Sequence, residues 1–228
     1  MGKKVMVVGG SGNISTAVVD LLVNKGYEVS IFTRGQNFLK PHPEARVVKG
    51  DRKERENYIK TMRAGNYDYA IDMIGFTRED AEDDYAAFPD VKRLVFTSSG
   101  ASYGDLPARE MPIRENFTGG NPVWMYGVDK RKAEDFLLGK FFETGYPVTI
   151  IRPTVTYGRQ KNVVRQIGSD TLWIDRIRKG KPIVIGNPYL LRNFLYADDA
   201  AWAYAGALEQ DACIGQAYNM VGLKPYDW

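Results

Sequence analysis

Cysteine and histidine are almost missing from this chain of 228 residues, which has one of each, Cys213 and His42. A lone cysteine excludes an intrachain disulfide and fits a reducing compartment, here expected to be the cytoplasm. It also weakens a thiol nucleophile, because only His42 could act as its base, and a single small residue near a helix end more often serves packing. His42 stands between two prolines in KPHPEA, the composition of an exposed loop without neighbouring ligands, so no metal site is expected. Long apolar runs are lacking as well. The N-terminal stretch MGKKVMVVGG holds only the short run VMVV, too little for a signal peptide or a membrane span. Met6 stands where a myristoylation signal wants serine or threonine. Charge of one sign is not in excess: the net value is +3, and the densest basic stretches, DKRKAED and DRKERE, have acids among them, as solvated helix faces do. Neither nucleic acid nor a membrane surface is therefore an expected partner. Aromatic residues are plentiful, but none recurs in a pattern suited to stacking bases. Repeats, low-complexity tracts and linkers rich in proline and serine are also absent.

What is present is enough apolar material, 44% of residues, to bury a full core. The opening segment KKVMVVGGSGNISTAVVDLLVNKGYEVSIFTRG reads as a buried strand, a glycine turn, an amphipathic helix and a second strand, a βαβ unit. Strand-like and helix-like segments then alternate: ARVVKG, RENYIKTMRAG, YDYAIDMIG, REDAEDDYAAF, VKRLVFTSS, a helix around residues 123–144, and PVTIIRPTV. This rhythm predicts an α/β fold, a Rossmann-type doubly wound parallel sheet with helices on both faces. Residues 1–158 form the expected dinucleotide-binding domain. From about residue 159 the rhythm changes to a long helix-like run, a short strand PIVIG, NFLYADDAAWAYAGALEQ and a last strand QAYNMV. Residues 159–228 are thus expected to add elements to the sheet and to supply a short, partial substrate-binding portion.

Ligands of such sheets bind beyond the carboxyl ends of the strands. After the first strand stands GGSGNIS, with Gly9, Gly12 and, where a third glycine would complete the usual spacing, Ser15. Small residues there let backbone amides at a helix N-terminus approach a pyrophosphate, and Asn13 and Ile14 open that helix. The bland alternative is a tight turn that needs glycine for its backbone. The second strand ends SIFTRG, offering Thr33 and Arg34 where NAD-binding units commonly carry an acid; a guanidinium suits a 2′-phosphate, so NADP is the expected cofactor, with NAD the alternative. Asp51, after the third strand, can accept from an adenine amino group or cap the following helix. Gly75, after the fourth strand, is the remaining glycine expected beside the cofactor.

Tyrosine and lysine four residues apart occur twice, as Tyr126/Lys130 in YGVDK and as Tyr157/Lys161 in YGRQK. The first pair lies on a helix and the second reads as a loop. The strand RLVFTSS ends in Ser98 and Ser99, and in a doubly wound sheet that strand end and the helix of Tyr126 converge on one half of the pocket.

With GGSGNIS, GDRKE, VFTSSGASYG, YGVDK, IRPTVTYG and LRNFLYADDAAWAYAGALE in this order, the chain resembles the extended branch of the short-chain dehydrogenase/reductase superfamily, the nucleotide-sugar epimerases and dehydratases. The resemblance implies an enzyme in which Ser99, Tyr126 and Lys130 are catalytic. A free phenol has a pKa of about 10 and is a poor base at neutral pH; Lys130, one helical turn on, favours the phenolate and also holds the nicotinamide ribose, while Ser99 positions the substrate oxygen. Gly100 and Ala101 stand where dehydratases of this branch place an Asp-Glu pair, which disfavours a 4,6-dehydratase. Val155 replaces a common substrate-binding asparagine, whereas Arg192 matches an arginine that approaches the substrate diphosphate. Ser99 and Arg192 are thus the implied substrate-binding residues. Relatives continue for about 80 residues beyond this length, so either a truncated form or a reduced lobe with an open pocket is expected. The implied activity is hydride transfer at a secondary alcohol or ketone of a small-molecule substrate, a nucleotide sugar. Alternatives are a non-catalytic cofactor-binding relative with a regulatory or RNA-associated role, and a reductase of a small lipophilic ketone or phenolic compound. The branch also implies a homodimer built on long helices, with Phe136 and Leu137 as apolar positions on the helix after Trp124.

Overall fold

The computed structural model describes residues 2–36, 42–104, 112–117, 124–158, 172–184 and 192–226. Its first half runs β1 (Lys4–Val8), α1 (Asn13–Asn24), β2 (Glu28–Thr33), β3 (Arg46–Lys49), α2 (Arg55–Gly65), β4 (Tyr69–Asp72), α3 (Arg78–Ala87) and β5 (Arg93–Thr97). The second half follows with α4 (Met125–Thr144), β6 (Val148–Pro153), β7 (Val155–Tyr157), α5 (Leu172–Arg178), β8 (Arg192–Tyr196), α6 (Ala197–Glu209), β9 (Ala217–Met220) and β10 (Pro225–Tyr226). Seven strands form one sheet in the order β3-β2-β1-β4-β5-β6-β9, and every neighbouring pair in it is parallel. The expected doubly wound sheet is borne out.

The continuous apolar runs have a simple cause. Side chains alternate across a strand, and both faces of this sheet are covered, so each face claims alternate residues of the same run. In β1, Val5 and Val7 join a core with Ile31, Ile71 and Ile151 under α1 and α6, while Met6 and Val8 join Phe32, Leu94 and Phe96 under α2, α3 and α4. Helix α3 starts on a capping box: the Asp80 N–H donates to Thr77 Oγ1 at 3.2 Å and the Thr77 N–H donates to the Asp80 carboxylate at 3.0 Å. Its register, fixed at this end, determines where Asp80 and Asp84 meet the sheet.

The second half departs from the sequence-based expectation at several points. Strand β8 precedes α6 and pairs in parallel with β7 and antiparallel with β10, forming a small second sheet. Tyr157 is the last residue of β7 rather than part of a loop, because a partner strand, unseen in the sequence, lies beside it. Lys161 lies outside the described residues. The long helix-like run contains α5 from Leu172, its earlier part lying outside the described residues, and Pro182–Val184 of the expected strand PIVIG has no regular structure. Phe136 and Leu137 are not a free apolar face: Leu137 is fully buried in the core and Phe136 packs edge-on against Tyr85 of α3 with ring centroids 6.1 Å apart. No described helix is long and apolar enough to cross a membrane.

Candidate active site

The carboxyl ends of β1, β2, β3 and β4 open on a cleft of about 470 Å³. Two glycines let the chain pass there. Gly9 has φ +84°, and a Cβ on Gly10 would stand 2.1 Å from Ile31 Cγ2. A side chain at either position would push the turn off the sheet. Gly10 was not singled out from the sequence, although its neighbour Gly9 was. The Gly12 N–H donates to Ser15 Oγ at 2.6 Å and Ser15 is buried, so serine serves at the third motif position by fastening the turn. The amides of Asn13 and Ile14, at the first turn of α1, have no intrahelical acceptor. A helix end of this kind suits a pyrophosphate. The cradle of small residues and this free helix end fit a dinucleotide.

The side of the cleft beyond β2 and β3, where the sequence places the adenosine, is lined by Thr33, Arg34, Asp51 and Lys53. Arg34 is exposed, and the Gly35 N–H donates to Thr33 Oγ1 at 3.2 Å, closing the turn after β2. Asp51 accepts from the Lys53 N–H at 2.9 Å. It does not cap α2, whose N-cap is Glu54, so of its two readings the one beside the cleft remains. Lys53 and Gln36 also line the cleft; neither was singled out in the sequence, Lys53 although it lies in GDRKE, Gln36 because it lies in no motif.

Beneath this loop lies a buried network that the sequence did not announce. Arg52 donates to Asp72 at 2.7 Å, to Asp80 at 3.0 Å and to Asp84 at 2.9 Å. Asp72, which ends β4 and is fully buried, also accepts from the Ile74 and Gly75 N–H groups at 2.8 and 2.9 Å. Asp84 accepts from Arg52 and from the Tyr58 hydroxyl on one oxygen only, and its other oxygen is buried without a donor. The two aspartates face each other. Burial, together with the negative charge of Asp72, pushes the Asp84 carboxyl well up, whereas against the same burial the Arg52 guanidinium holds Asp72 down. Two carboxyls buried this close do not ionise independently, and their titrations are linked.

At the chemical end, Lys130 on α4 is buried and donates to the carbonyls of Gly75 and Thr97, each at 2.5 Å. Its ammonium lies 4.9 Å from the Phe76 ring centroid, 5.1 Å from that of Phe96 and 5.9 Å from that of Tyr126. Burial pushes its pKa down to about 8, with Asp72 acting in the opposite direction. Tyr126 is 42% exposed, its ring 6.1 Å from that of Phe76. The structure thus brings Lys130, Tyr126 and Phe76 together. Phe76 escaped the sequence reading because a lone aromatic in a loop has no distinguishing pattern.

The two serines after β5 differ sharply. Ser98 is buried and donates to Glu134, which is itself paired with Arg152 at 2.6 Å. Ser99 is half-buried, and among the described residues its Oγ accepts from the nearby Ala101 N–H at 3.2 Å and donates to none. Ser98 is thus tied into an internal ion pair and Ser99 is not. The carbonyl of Thr97, two residues earlier, is the one that holds Lys130. Arg192 opens β8 opposite Tyr226; its side chain lies outside the described residues.

A family model described as the NAD dependent epimerase/dehydratase family matches residues 5–220. The chain is 28% identical to the 2′-dehydrokanamycin reductase of Streptomyces kanamyceticus over 99% of its own length and 63% of the reductase. It is 26% identical to the chloroplast stem-loop binding protein of 41 kDa b of Arabidopsis thaliana over 97% of its length and 59% of that protein. It therefore spans about three fifths of both relatives. The crystal structure of dTDP-glucose 4,6-dehydratase from Bacillus anthracis, in complex with NAD, superposes with a TM-score of 0.82 at 19% identity, covering 99% of this chain and 77% of that one.

Proposed function

We propose, for a chain that belongs to the NAD dependent epimerase/dehydratase family, that it is an NADP-dependent epimerase or reductase acting at a secondary alcohol or ketone of a nucleotide sugar in the cytoplasm. Its residues 1–158 hold the dinucleotide and its residues 159–228 contribute to the substrate side. The observation that carries this reading is the placement of Lys130, buried at a carbonyl pair with its ammonium 5.9 Å from the Tyr126 ring. Burying an ammonium is costly, and a cation set beneath an exposed phenol has a direct chemical use.

The bound dinucleotide accepts or supplies a hydride at the substrate carbon. The chain's own residues deal with the proton and with position. Tyr126 takes the proton from the substrate hydroxyl in one direction and returns it in the other. Lys130 lowers the cost of the phenolate by its charge. Two of its three N–H groups go to carbonyls, which leaves one for the nicotinamide ribose. Ser99 donates to the substrate oxygen and fixes it against Tyr126, while Arg192 meets the substrate diphosphate. Gly9, Gly12, Asn13 and Ile14 seat the pyrophosphate. Thr33 and Arg34 take the 2′-phosphate end, with Asp51 on the adenine and Gly75 beside the ribose. The match to a nucleotide-sugar dehydratase fold supports the substrate class. Gly100 and Ala101, in place of an Asp-Glu pair, favour epimerisation or reduction over dehydration. The test is a screen of nucleotide sugars and simple ketones by NADPH absorbance, with product analysis to detect epimerisation without net redox change. If a nucleotide retained through purification, identified by mass, is NAD rather than NADP, the cofactor assignment fails.

A second reading rests on the similarity to the chloroplast stem-loop binding protein: a cofactor-binding relative with an RNA-associated role. Against it stands the complete set of Ser99, Tyr126 and Lys130. Fluorescence anisotropy with a stem-loop RNA, measured beside NADPH turnover, separates the two; submicromolar RNA binding without turnover on any screened substrate favours the second.

A further inference from the structure

The Arg52 network and Lys130 belong to different parts of the cleft, yet they share one connection. Asp72 accepts from the N–H groups of Ile74 and Gly75 on Oδ1, and from Arg52 on Oδ2. The carbonyl of Gly75 is the one that receives the Lys130 ammonium. Arg52 in turn lies between Asp51 and Lys53, which line the adenosine side. A continuous chain of hydrogen bonds therefore runs from the adenosine loop through Arg52, Asp72 and the turn at Gly75 to Lys130.

We propose that Asp72 is a positioning residue for Lys130, and that Arg52 fastens Asp72 to the adenosine-side loop so that one buried chain of hydrogen bonds holds both ends of the cleft. The proposal takes its catalytic meaning from the role of Lys130 in proton transfer, but the connection itself is a property of the free protein. Three aspects of the geometry support it. Arg52 is buried and satisfies Asp72 at 2.7 Å, so the carboxylate is fixed rather than solvated. Both N–H groups on Asp72 belong to the turn that aims the Gly75 carbonyl. Asp84, the other buried carboxyl beside Arg52, bonds to Arg52 and Tyr58 and lies against Asp72 itself, with no hydrogen bond to that turn. The groups facing Lys130 are Asp72 from β4, Arg52 from the loop before α2, Asp80 from α3, and Glu134 and Tyr126 from α4 itself. Those facing Asp72 are Arg52, Asp84, Lys130, Tyr58 and Tyr204. Among the carboxylates around Lys130, Asp72 acts most strongly in favour of its charge.

The test compares two neutral replacements of nearly equal shape, D72N and D84N, in cofactor-free protein labelled with 13C,15N-lysine. The Lys130 signal is identified by its loss in K130M and followed through a pH titration. D72N is expected to lower the Lys130 midpoint by at least about half a unit, while D84N leaves it within about 0.2 of wild type. Equal midpoints in all three proteins overturn the proposal, as does an equal shift in both variants, which would mark a general loosening of the core. The readout needs no turnover, so it stands apart from the catalytic reading: if Y126F retains activity the catalytic role fails while the Asp72–Lys130 connection is still measured. In turnover with NADPH, D72N should lower kcat by at least about tenfold and displace the alkaline limb of the pH profile downward; a merely structural role would lower Tm and leave the limb in place. Should D72N not fold, R52K provides the second arm. It keeps a cation near Asp72 but cannot span all three carboxylates, and the Ile74 and Gly75 amides should then exchange hydrogen at least about tenfold faster relative to Val7 and Ile71 in the sheet. Unchanged relative exchange overturns the proposal.

Discussion

The two ends of the cleft handle charge in opposite ways. At the end proposed for the adenosine, Arg34, Asp51 and Lys53 lie at least partly open to water, where a charged contact contributes modestly and salt screens it. At the chemical end Lys130 is buried, its ammonium held by carbonyls and by aromatic faces. The same change of one unit of charge therefore has unequal consequences: exposed groups adjust affinity, whereas the buried one governs both stability and turnover. Arg52 lies between the two regimes, part of the adenosine loop by sequence and part of the core by burial.

Breaking the buried side should give the largest effects. Arg52→Leu strands the charge of Asp72 in the core, and removing one partner of a buried pair typically costs about 3–5 kcal/mol; urea unfolding should register that loss, and a cost below about 1 kcal/mol would mean that water reaches the network. Lys130→Met removes a charge about 6 Å from the Tyr126 ring, which at an effective dielectric near 20 corresponds to about 3 kcal/mol and hence about a hundredfold in kcat/KM. A loss below about threefold on a proven substrate would show that Tyr126 does not depend on Lys130.

The pH dependence sharpens the contrast, because activity and stability should move in opposite directions. The folded pKa of Lys130 lies at about 8, below the unfolded value of 10.5. Between these values the unfolded chain holds a proton that the folded protein has released, so stability rises with pH across this window, by up to about 3 kcal/mol. Below pH 8 both states are protonated and that gain is absent. Turnover needs the charged amine and should fall as pH rises through about 8. Urea midpoints and kcat/KM measured between pH 7 and about 10 check both signs, and parallel profiles would contradict the assignment. At the exposed end the effect is smallest: Arg34→Ala should narrow the preference for NADPH over NADH by about 1–2 kcal/mol, and equal affinities for the two in the unaltered protein would remove Arg34 from cofactor choice.

How much of this was legible in the sequence follows from which interactions are local. The run VMVV, the glycines after it and the strand-helix alternation are short-range signals, and they led to the sheet and to the glycine turn at the end of β1. Tyr126 and Lys130 share a helix, but Tyr157 and Lys161 have the same spacing, so it took the helix context and the order of the surrounding motifs to choose between the pairs. The Arg52 network could not be read in this way, since its bonds join residues 20, 28 and 32 positions apart, and an aspartate ending a strand looks like any surface turn. The choice between Ser98 and Ser99 rested on family resemblance. The structure adds a physical reason, the Glu134–Arg152 pair that occupies Ser98. The reading ran PVTIIRPTV as one strand and left Tyr157 in a loop, because β8, the partner of Val155–Tyr157, lies far along the chain. Phe136 and Leu137 looked available for a dimer interface because a helix shows its apolar residues in the sequence without showing which side the core claims; Leu137 is buried in the core while Phe136 is half-buried against Tyr85, and sedimentation at micromolar concentration would show whether a homodimer forms.

The central claim is that the Tyr126–Lys130 pair moves the proton and that Tyr157, with the same spacing to a lysine, does not. The most direct measurement is NADPH-linked turnover of Tyr126→Phe beside Tyr157→Phe on a proven substrate, with cofactor affinity and Tm recorded for both. Tyr126→Phe should lose about 10² to 10⁴ in rate, the usual contribution of a general acid–base group, with affinity and fold nearly unchanged. Tyr157→Phe should retain most of the activity. Wild-type turnover in Tyr126→Phe, or an equal loss in both variants, would contradict the account.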